Sequence, residues 1–512
     1  MSELVATFAL AQDNAFGQPL ESQLRSCLLA SWLSDEAGYD RELRGTIYWV
    51  ALLRYIGCTG HAHEVATLFG DEIAIRAQTL VHDAANPAEV MRDVLAFATA
   101  ARPPEQREEV VQAIQAGAYE WAVHNFTSGC EVGDMLVERL HFGRDVRDAL
   151  RFTFERWNGS GYPAGASGDA IPTAMRVVHL TQDMEAIARL FSPEEALEAA
   201  RERRGRTYDP ALADLFVAQG SSWFERLDKL DTWDAVLDLE PHPHRTLDGS
   251  ELDQALAVAA DFIDLKSPFM AGHSRRCAQI AGDAAAVLEF DDDAVRTLRR
   301  AALVHEFGTT AIPNSIWDKP GPLTRAELDR VELHSMLTEQ MLRRSAALAE
   351  LNPTAAAHHE RADGSGYHRG LAADAFDLAS SVLAATDIYV ALTADRAHRP
   401  AFSVEYAATE LRQLASKGLL VQRATDAVLI ATSHAEPNRK KARGRQHPAG
   451  LTDREVEVLC LAARGSTTKD IAERLFISPK TADHHIQHVY TKIDVSTRGA
   501  AALWAMQHGL VS

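Results

Sequence analysis

An irregular eleven-residue strip occurs twice in this chain, 205 positions apart. Glu155-Arg156-Trp157-Asn158-Gly159-Ser160-Gly161-Tyr162-Pro163-Ala164-Gly165 returns as Glu360-Arg361-Ala362-Asp363-Gly364-Ser365-Gly366-Tyr367-His368-Arg369-Gly370. A strip so irregular, recurring at that distance, marks an internal duplication, so the chain must build two related domains. The copies differ in what stands before them. His358 and His359 precede the second; Thr153 and Phe154 precede the first. One copy carries candidate metal ligands that the other lacks.

At 512 residues the chain is too long for one core and predicts two to four domains. Apolar residues recur at three- and four-residue spacing in 251–264, 293–306 and 323–348, and no alternating strand pattern appears, so the fold should be all-α. Two breaks divide it: a polar stretch around 221–250 with Pro241-His242-Pro243-His244, and the Pro-, Gly-, Arg- and Lys-rich 434–450. The expected order is a repeat over 1–220, a linker over 221–250, a second repeat over 251–433, a flexible basic linker over 434–450 and a small domain over 451–512. No apolar run approaches the ~18 residues that a membrane span needs, and no basic region with an apolar core opens the chain. The five cysteines, Cys27, Cys58, Cys130, Cys277 and Cys460, are scattered and without a C-x-x-C pair. Disulfides and a cysteine zinc site are not expected, and a reducing, cytoplasmic setting is. The formal net charge is −20, yet 437–512 holds 12 Lys and Arg against seven Asp and Glu. A basic tail on an acidic body predicts a local nucleic-acid contact and a body with another task.

The second repeat carries the chemistry. His305-Glu306-Phe307-Gly308, Ile312-Pro313, Lys319-Pro320-Gly321, His334, His358-His359-Glu360-Arg361 and Asp363-Gly364-Ser365-Gly366-Tyr367 follow one another in an order that resembles the HD-GYP family. The resemblance covers roughly 261–431 and implies a helical, metal-dependent phosphohydrolase domain, of a family many of whose members linearise cyclic di-GMP. It implies His273, His305, Glu306, His334, His358, His359 and Asp387 as metal ligands, with His305 and Glu306 at the catalytic centre. It also implies Arg361, Gly364 and Tyr367 as contacts to a phosphorylated ligand. Imidazole with carboxylate suits Fe, Mn or Zn, and a cluster this size can hold one to three divalent ions. Two ions a few Å apart would activate a bridging water and clamp phosphoryl oxygens. The chain departs from the family three times: Glu306 stands where the family has Asp, Thr309 where it has Lys, and His368 where it has the Pro of GYP. These departures argue against efficient hydrolysis.

In the first repeat no ligand survives. Alignment sets Gly129 against His334, Thr153 against His358, Phe154 against His359, Gln182 against Asp387, Arg54 and Tyr55 against His305 and Glu306, and Ser22 or Gln23 against His273. His61, His63 and Glu64 form a small cluster that reads as a solvated loop. This degenerate repeat is expected to pack, dimerise or bind an effector.

The C-terminal stretch opens with a capping box, Thr452 with Glu455, and continues through short helix, turn and longer helix, with Ser478 as cap and Pro479 at the first helical position. From Leu451 to Ser512 it resembles the four-helix LuxR-type helix-turn-helix domain, which implies binding to double-stranded DNA. Ala482, Ile486, Val489 and Ile493 should face the core. Lys480, Lys492 and Arg498 would then meet phosphate, Thr481, His484 and Gln487 would read base edges, and His488 faces outward beside them on the DNA-binding side. The basic residues Arg439, Lys440, Lys441, Arg443 and Arg445 would add contacts or tether the tail.

Two functions fit these residues. One is a dimeric transcription regulator whose HD-type body senses metal, or a cyclic dinucleotide or other phosphorylated small molecule. The other is a metal-dependent cyclic di-GMP phosphodiesterase with a DNA-binding tail.

Overall fold

The computed structural model describes residues 1–100, 102–375, 377–435 and 447–511, and the chain divides into two compact units, Met1–Asp248 and Gly249–Ser512. The basic stretch from Arg439 to Arg445 lies outside the described residues. The fold is all-α, as expected. Extended pairing among the described residues is confined to isolated bridges, including Asn158–Ser167 and Asp363–Ala372.

In the first unit, helix Ser22–Glu36 lies between Arg41–Leu53 and Thr173–Leu190. Local chemistry starts several of these helices. The Asp40 carboxylate accepts from the Leu43 amide, while Ser192 and Asp209 cap helices that each begin with a proline, Pro193–Glu202 and Pro210–Leu227. Leu28, Leu29, Leu33, Ile47, Leu52, Val177 and Leu180 fill the interior. Each such side chain stabilises the fold by about 1.5–3 kcal/mol.

Two expectations for this unit are overturned. The stretch read as a linker from 221 is helical through Leu227 and again over Thr232–Asp238, with a short turn at 228–231, and the longer irregular stretch runs from Leu239 to Asp248. Trp223, Phe224, Leu227, Trp233 and Val236 recur at helical spacing and are buried, which outweighs the polar residues between them. His61 is likewise not on a solvated loop. It is buried in the turn Cys58–His61, its ring against Gly129, and His63 and Glu64 are half-buried on helix Ala62–Phe69. Gly129 has no side chain, and the His61 ring takes the space.

The second unit repeats the plan. Helices His273–Val287, Asp292–Val304, Leu378–Leu392 and Gln422–Ala435 surround an alanine-rich interior that includes Ala281, Ala284, Ala285, Ala385, Ala424 and Ala427, and Gly249–Asp264 packs on the first two. The two strips are superposable in their contacts. Glu155 Oε1 accepts from the Ala164 amide at 2.8 Å, and Glu360 Oε1 from Arg369 at 2.9 Å. The Tyr162 amide donates to Phe154, and that of Tyr367 to His359. Gly161 and Gly366 each lie so close to the backbone of the preceding glutamate that a Cβ would collide with it. The strip is therefore a folded clamp fixed by a buried carboxylate, and the duplication is structural as well as textual.

The tail forms four helices, Asp453–Ala463, Thr468–Leu475, Pro479–Ile493 and Arg498–Gln507. Its Thr452–Glu455 capping box is present, joined by a second one between Thr467 and Asp470. Ala482, Ile486, Val489 and Ile493 are buried. The last helix touches Gly249–Asp264, and Gly465 lies against Pro268.

Candidate metal centre and DNA-reading surface

The seven candidate ligands come from separate elements and meet in one buried place. His273 opens its helix directly after Gly272, whose φ of 77° favours glycine. His305 and Glu306 end helix Asp292–Val304, and Gly308 lets the following turn lie on helix Arg325–Leu342, because a Cβ there would collide with the His334 carbonyl. His334 belongs to that helix, Asp387 to Leu378–Leu392, and His358 and His359 follow the short helix Asn352–Ala356.

Three overlapping groups result: His273, Cys277, His305 and Asp387; His305, Glu306 and His358; and His334, His358 and His359. Within each, one donor atom per residue lies within 4.8 Å of the others. The Glu306 carboxylate stands between them, Oε1 at 3.7 Å from His273 Nε2 and Oε2 at 3.6 Å from His334 Nε2. The extra methylene of Glu over Asp thus still delivers the carboxylate to a position between the imidazoles.

Three of the histidines are held in the same way. Nδ1–H of His305, His334 and His358 donates to the carbonyl three residues earlier, Ala302, Val331 and Ala355, at 2.8, 2.5 and 2.6 Å. Each Nε2 lone pair is thereby turned inward, the tautomer that a metal ligand needs. His334 and His358 bring these nitrogens to 3.1 Å from one another. Two lone pairs at that distance repel unless a cation lies between them, and about 3 Å is the separation of adjacent nitrogens on one ion with bonds of about 2.1 Å.

Electrostatics agree. Burial pushes His305 down to about 3 and His334 down to about 4, and it lowers His273, His358 and His359 as well. All five imidazoles are neutral at pH 7. Burial, reinforced by the charge of Asp387, raises Glu306. For Asp387 burial acts upward too, but the hydrogen bond with His273 opposes it, and the carboxyl lies below its ordinary range. His305 Nε2, Glu306 Oε2 and His273 Nδ1 are buried without a hydrogen-bond partner. Neutral imidazoles, two carboxylates and orphaned donor atoms fit divalent cations.

Around this nest, the Tyr367 ring packs on His359 with centroids 4.7 Å apart, and Arg361 Nη1 donates to the Glu360 carbonyl at 2.9 Å. Gly364 turns the clamp with a φ of 80°. Thr309 donates its hydroxyl to the Glu306 carbonyl, and His368 turns away to Glu339 at 2.8 Å. Sequence reasoning missed Cys277 and Arg396. The signal for Cys277 was its position four residues after His273; Arg396, whose charge opposes the rise of Glu306, gave none.

In the first repeat a guanidinium occupies the corresponding place. Arg54 is buried, with Nη1 donating to Gln182 Oε1 at 2.9 Å and Nη2 to the Thr153 carbonyl at 3.4 Å, and Asp183 Oδ1 lies 3.7 Å away. These partners sit at or beside the positions of Asp387 and His358.

On the tail, Lys480, Thr481, Asp483, His484 and Gln487 are exposed along helix Pro479–Ile493. Lys492 is engaged within the domain, its Nζ donating to Glu455 Oε2 at 2.7 Å and to the Gly450 carbonyl at 3.2 Å. His488 Nδ1 lies 2.9 Å from the same carboxylate, and Arg498 begins the last helix half-buried. No described helix is long and apolar enough to cross a membrane.

The comparisons follow this division. A family model described as an HD domain matches residues 108–212 and 257–419, and one described as bacterial regulatory proteins of the luxR family matches 449–505. The 3'3'-cGAMP-specific phosphodiesterase 3 of Vibrio cholerae is 30% identical over 419 residues, 80% of this chain and 89% of that protein. The transcriptional regulatory protein LiaR of Bacillus subtilis is 50% identical over 62 residues, 12% of this chain and 29% of LiaR. The crystal structure of the cyclic GMP-AMP-specific phosphodiesterase V-cGAP3 of V. cholerae aligns with a TM-score of 0.59 and 26% identity, over 84% of this chain and 97% of that one. Fold, nest and kinship together make this chain a member of the HD domain family, its HD region duplicated and joined to a C-terminal luxR-family domain.

Proposed function

We propose that the second HD domain is a metal-dependent phosphodiesterase acting on a cyclic dinucleotide, and that the tail binds double-stranded DNA. The observation that carries this reading is the Glu306 carboxylate between His273 and His334, reaching both sides of the nest. Fe, Mn or Zn held by His273, His305, Glu306, His334, His358, His359 and Asp387 would supply an activated water and neutralise phosphoryl oxygens. The chain's own residues orient and exclude. The Nδ1–carbonyl hydrogen bonds fix three imidazoles before anything binds, so no reorganisation is needed. Arg361 and Tyr367, beside the nest, would meet a phosphate and a base. The relatives' names support the substrate class, 3'3'-cGAMP or cyclic di-GMP.

On the tail, Lys480 and Arg498 would meet phosphate while Thr481, His484 and Gln487 read base edges, with Lys492 and His488 joining them if they exchange Glu455 for DNA; two copies would bind paired half-sites. A second reading, in which occupancy of the nest controls the tail without turnover, is favoured by one observation. Gly465 of the tail rests on Pro268, in the loop that leads to His273. Purified protein loaded with Mn, Fe or Zn and offered each cyclic dinucleotide separates them. A linear product that disappears in His305→Ala supports the enzyme; bound metal and ligand without product supports the sensor.

A further inference from the structure

Helix His273–Val287 offers the nest a second donor. His273 and Cys277 are four residues apart, so one helical turn stacks them on the same face. Cys277 is fully buried, with Sγ 3.7 Å from His273 Nε2, and it belongs to the group formed with His305 and Asp387. No other cysteine enters a metal-capable group among the described residues. The imidazole edge of this group ends in His305 Nε2, buried and without a partner.

Two edges of the group match those of a tetrahedral ion. With bonds of about 2.0–2.1 Å to N and O and about 2.3 Å to S, tetrahedral edges are about 3.3 Å for N–O and about 3.6 Å for N–S. His273 Nε2 stands 3.2 Å from Asp387 Oδ1 and 3.7 Å from Cys277 Sγ. Building on the reading that this domain holds ions, we propose that Cys277 is a metal ligand, joining His273, His305 and Asp387 in a four-donor place selective for zinc. Thiolate is a soft donor and favours zinc over manganese or magnesium. His273, His305 and Asp387 are ligands in that reading too, so Cys277 would add a soft donor to the same centre. The alternative is a thiol that packs as a small apolar side chain and donates weakly to His273.

Cobalt(II) distinguishes them. The full chain, stripped with a chelator and titrated with cobalt alone, should show four-coordinate visible bands together with a near-ultraviolet thiolate-to-cobalt band. Cys277→Ser should lose the thiolate band while cobalt remains bound at the other histidines, and zinc should displace the thiolate-bound cobalt first. Cobalt uptake by the unmodified chain without that band would overturn the proposal and leave ion binding standing, and so would a band unchanged in Cys277→Ser. No cobalt uptake would overturn both. The thiolate band in a chain that turns over no cyclic dinucleotide would support this proposal while refuting the enzymatic reading.

Discussion

The two repeats share a clamp, a turn and a set of helices, and they differ in what neutralises the middle. In the second, five histidines and two carboxylates face one another across a place fit for cations. In the first, Arg54 reaches into that place and is held by Gln182, the Thr153 carbonyl and Asp183. The same scaffold thus closes its middle with a side chain of its own in one copy and gathers potential metal donors there in the other.

The sharpest break of the comparison is His305→Ala. It should remove bound metal and lower dinucleotide hydrolysis by more than about 100-fold, measured by metal content and product formation, with the first repeat untouched. Next comes Arg54→Ala, which leaves Asp183 and Gln182 buried without their cation. It should lower stability by about 3–5 kcal/mol in denaturant unfolding and leave turnover at its original rate. Equal loss of activity in both variants would erase the distinction drawn between the copies.

A smaller effect is expected at Glu455. Burial acts upward on this carboxyl, but the bonds from Lys492 and Thr452 overcome it and bring it down to about 2. A depressed carboxyl contributes stability that is full above its ordinary range, near 4.5, and fades as pH falls toward 2. Glu455→Gln should cost about 1–2 kcal/mol at neutral pH and flatten the tail's acid unfolding across that window. The smallest effect is that of Lys480→Ala, which should reduce the salt slope of DNA binding by about 1. An unchanged slope would remove Lys480 from the phosphate contacts.

Much of this was legible in the letters. The strip revealed the duplication because its glycines and glutamate are demanded by backbone contacts, and such demands survive as exact residues. The capping box at Thr452 and the proline after Ser478 were readable because caps are local. The seven candidate ligands were picked out through their motif order. What escaped depends on three-dimensional neighbours. Helices Pro210–Leu227 and Thr232–Asp238 were hidden by interspersed polar residues, and His61 was buried by a glycine 68 positions away. Arg54 was legible as a lost ligand but not as its replacement, because nothing local tells where a guanidinium will end.

That guanidinium has a consequence for how the chain meets scarcity. A charge carried by a side chain cannot be withdrawn by a chelator, whereas ions can. Under metal starvation the amino-terminal half should keep its shape, while the half bearing His305 slackens around facing lone pairs and buried carboxylates. A melt in EDTA would then move one transition and spare the other.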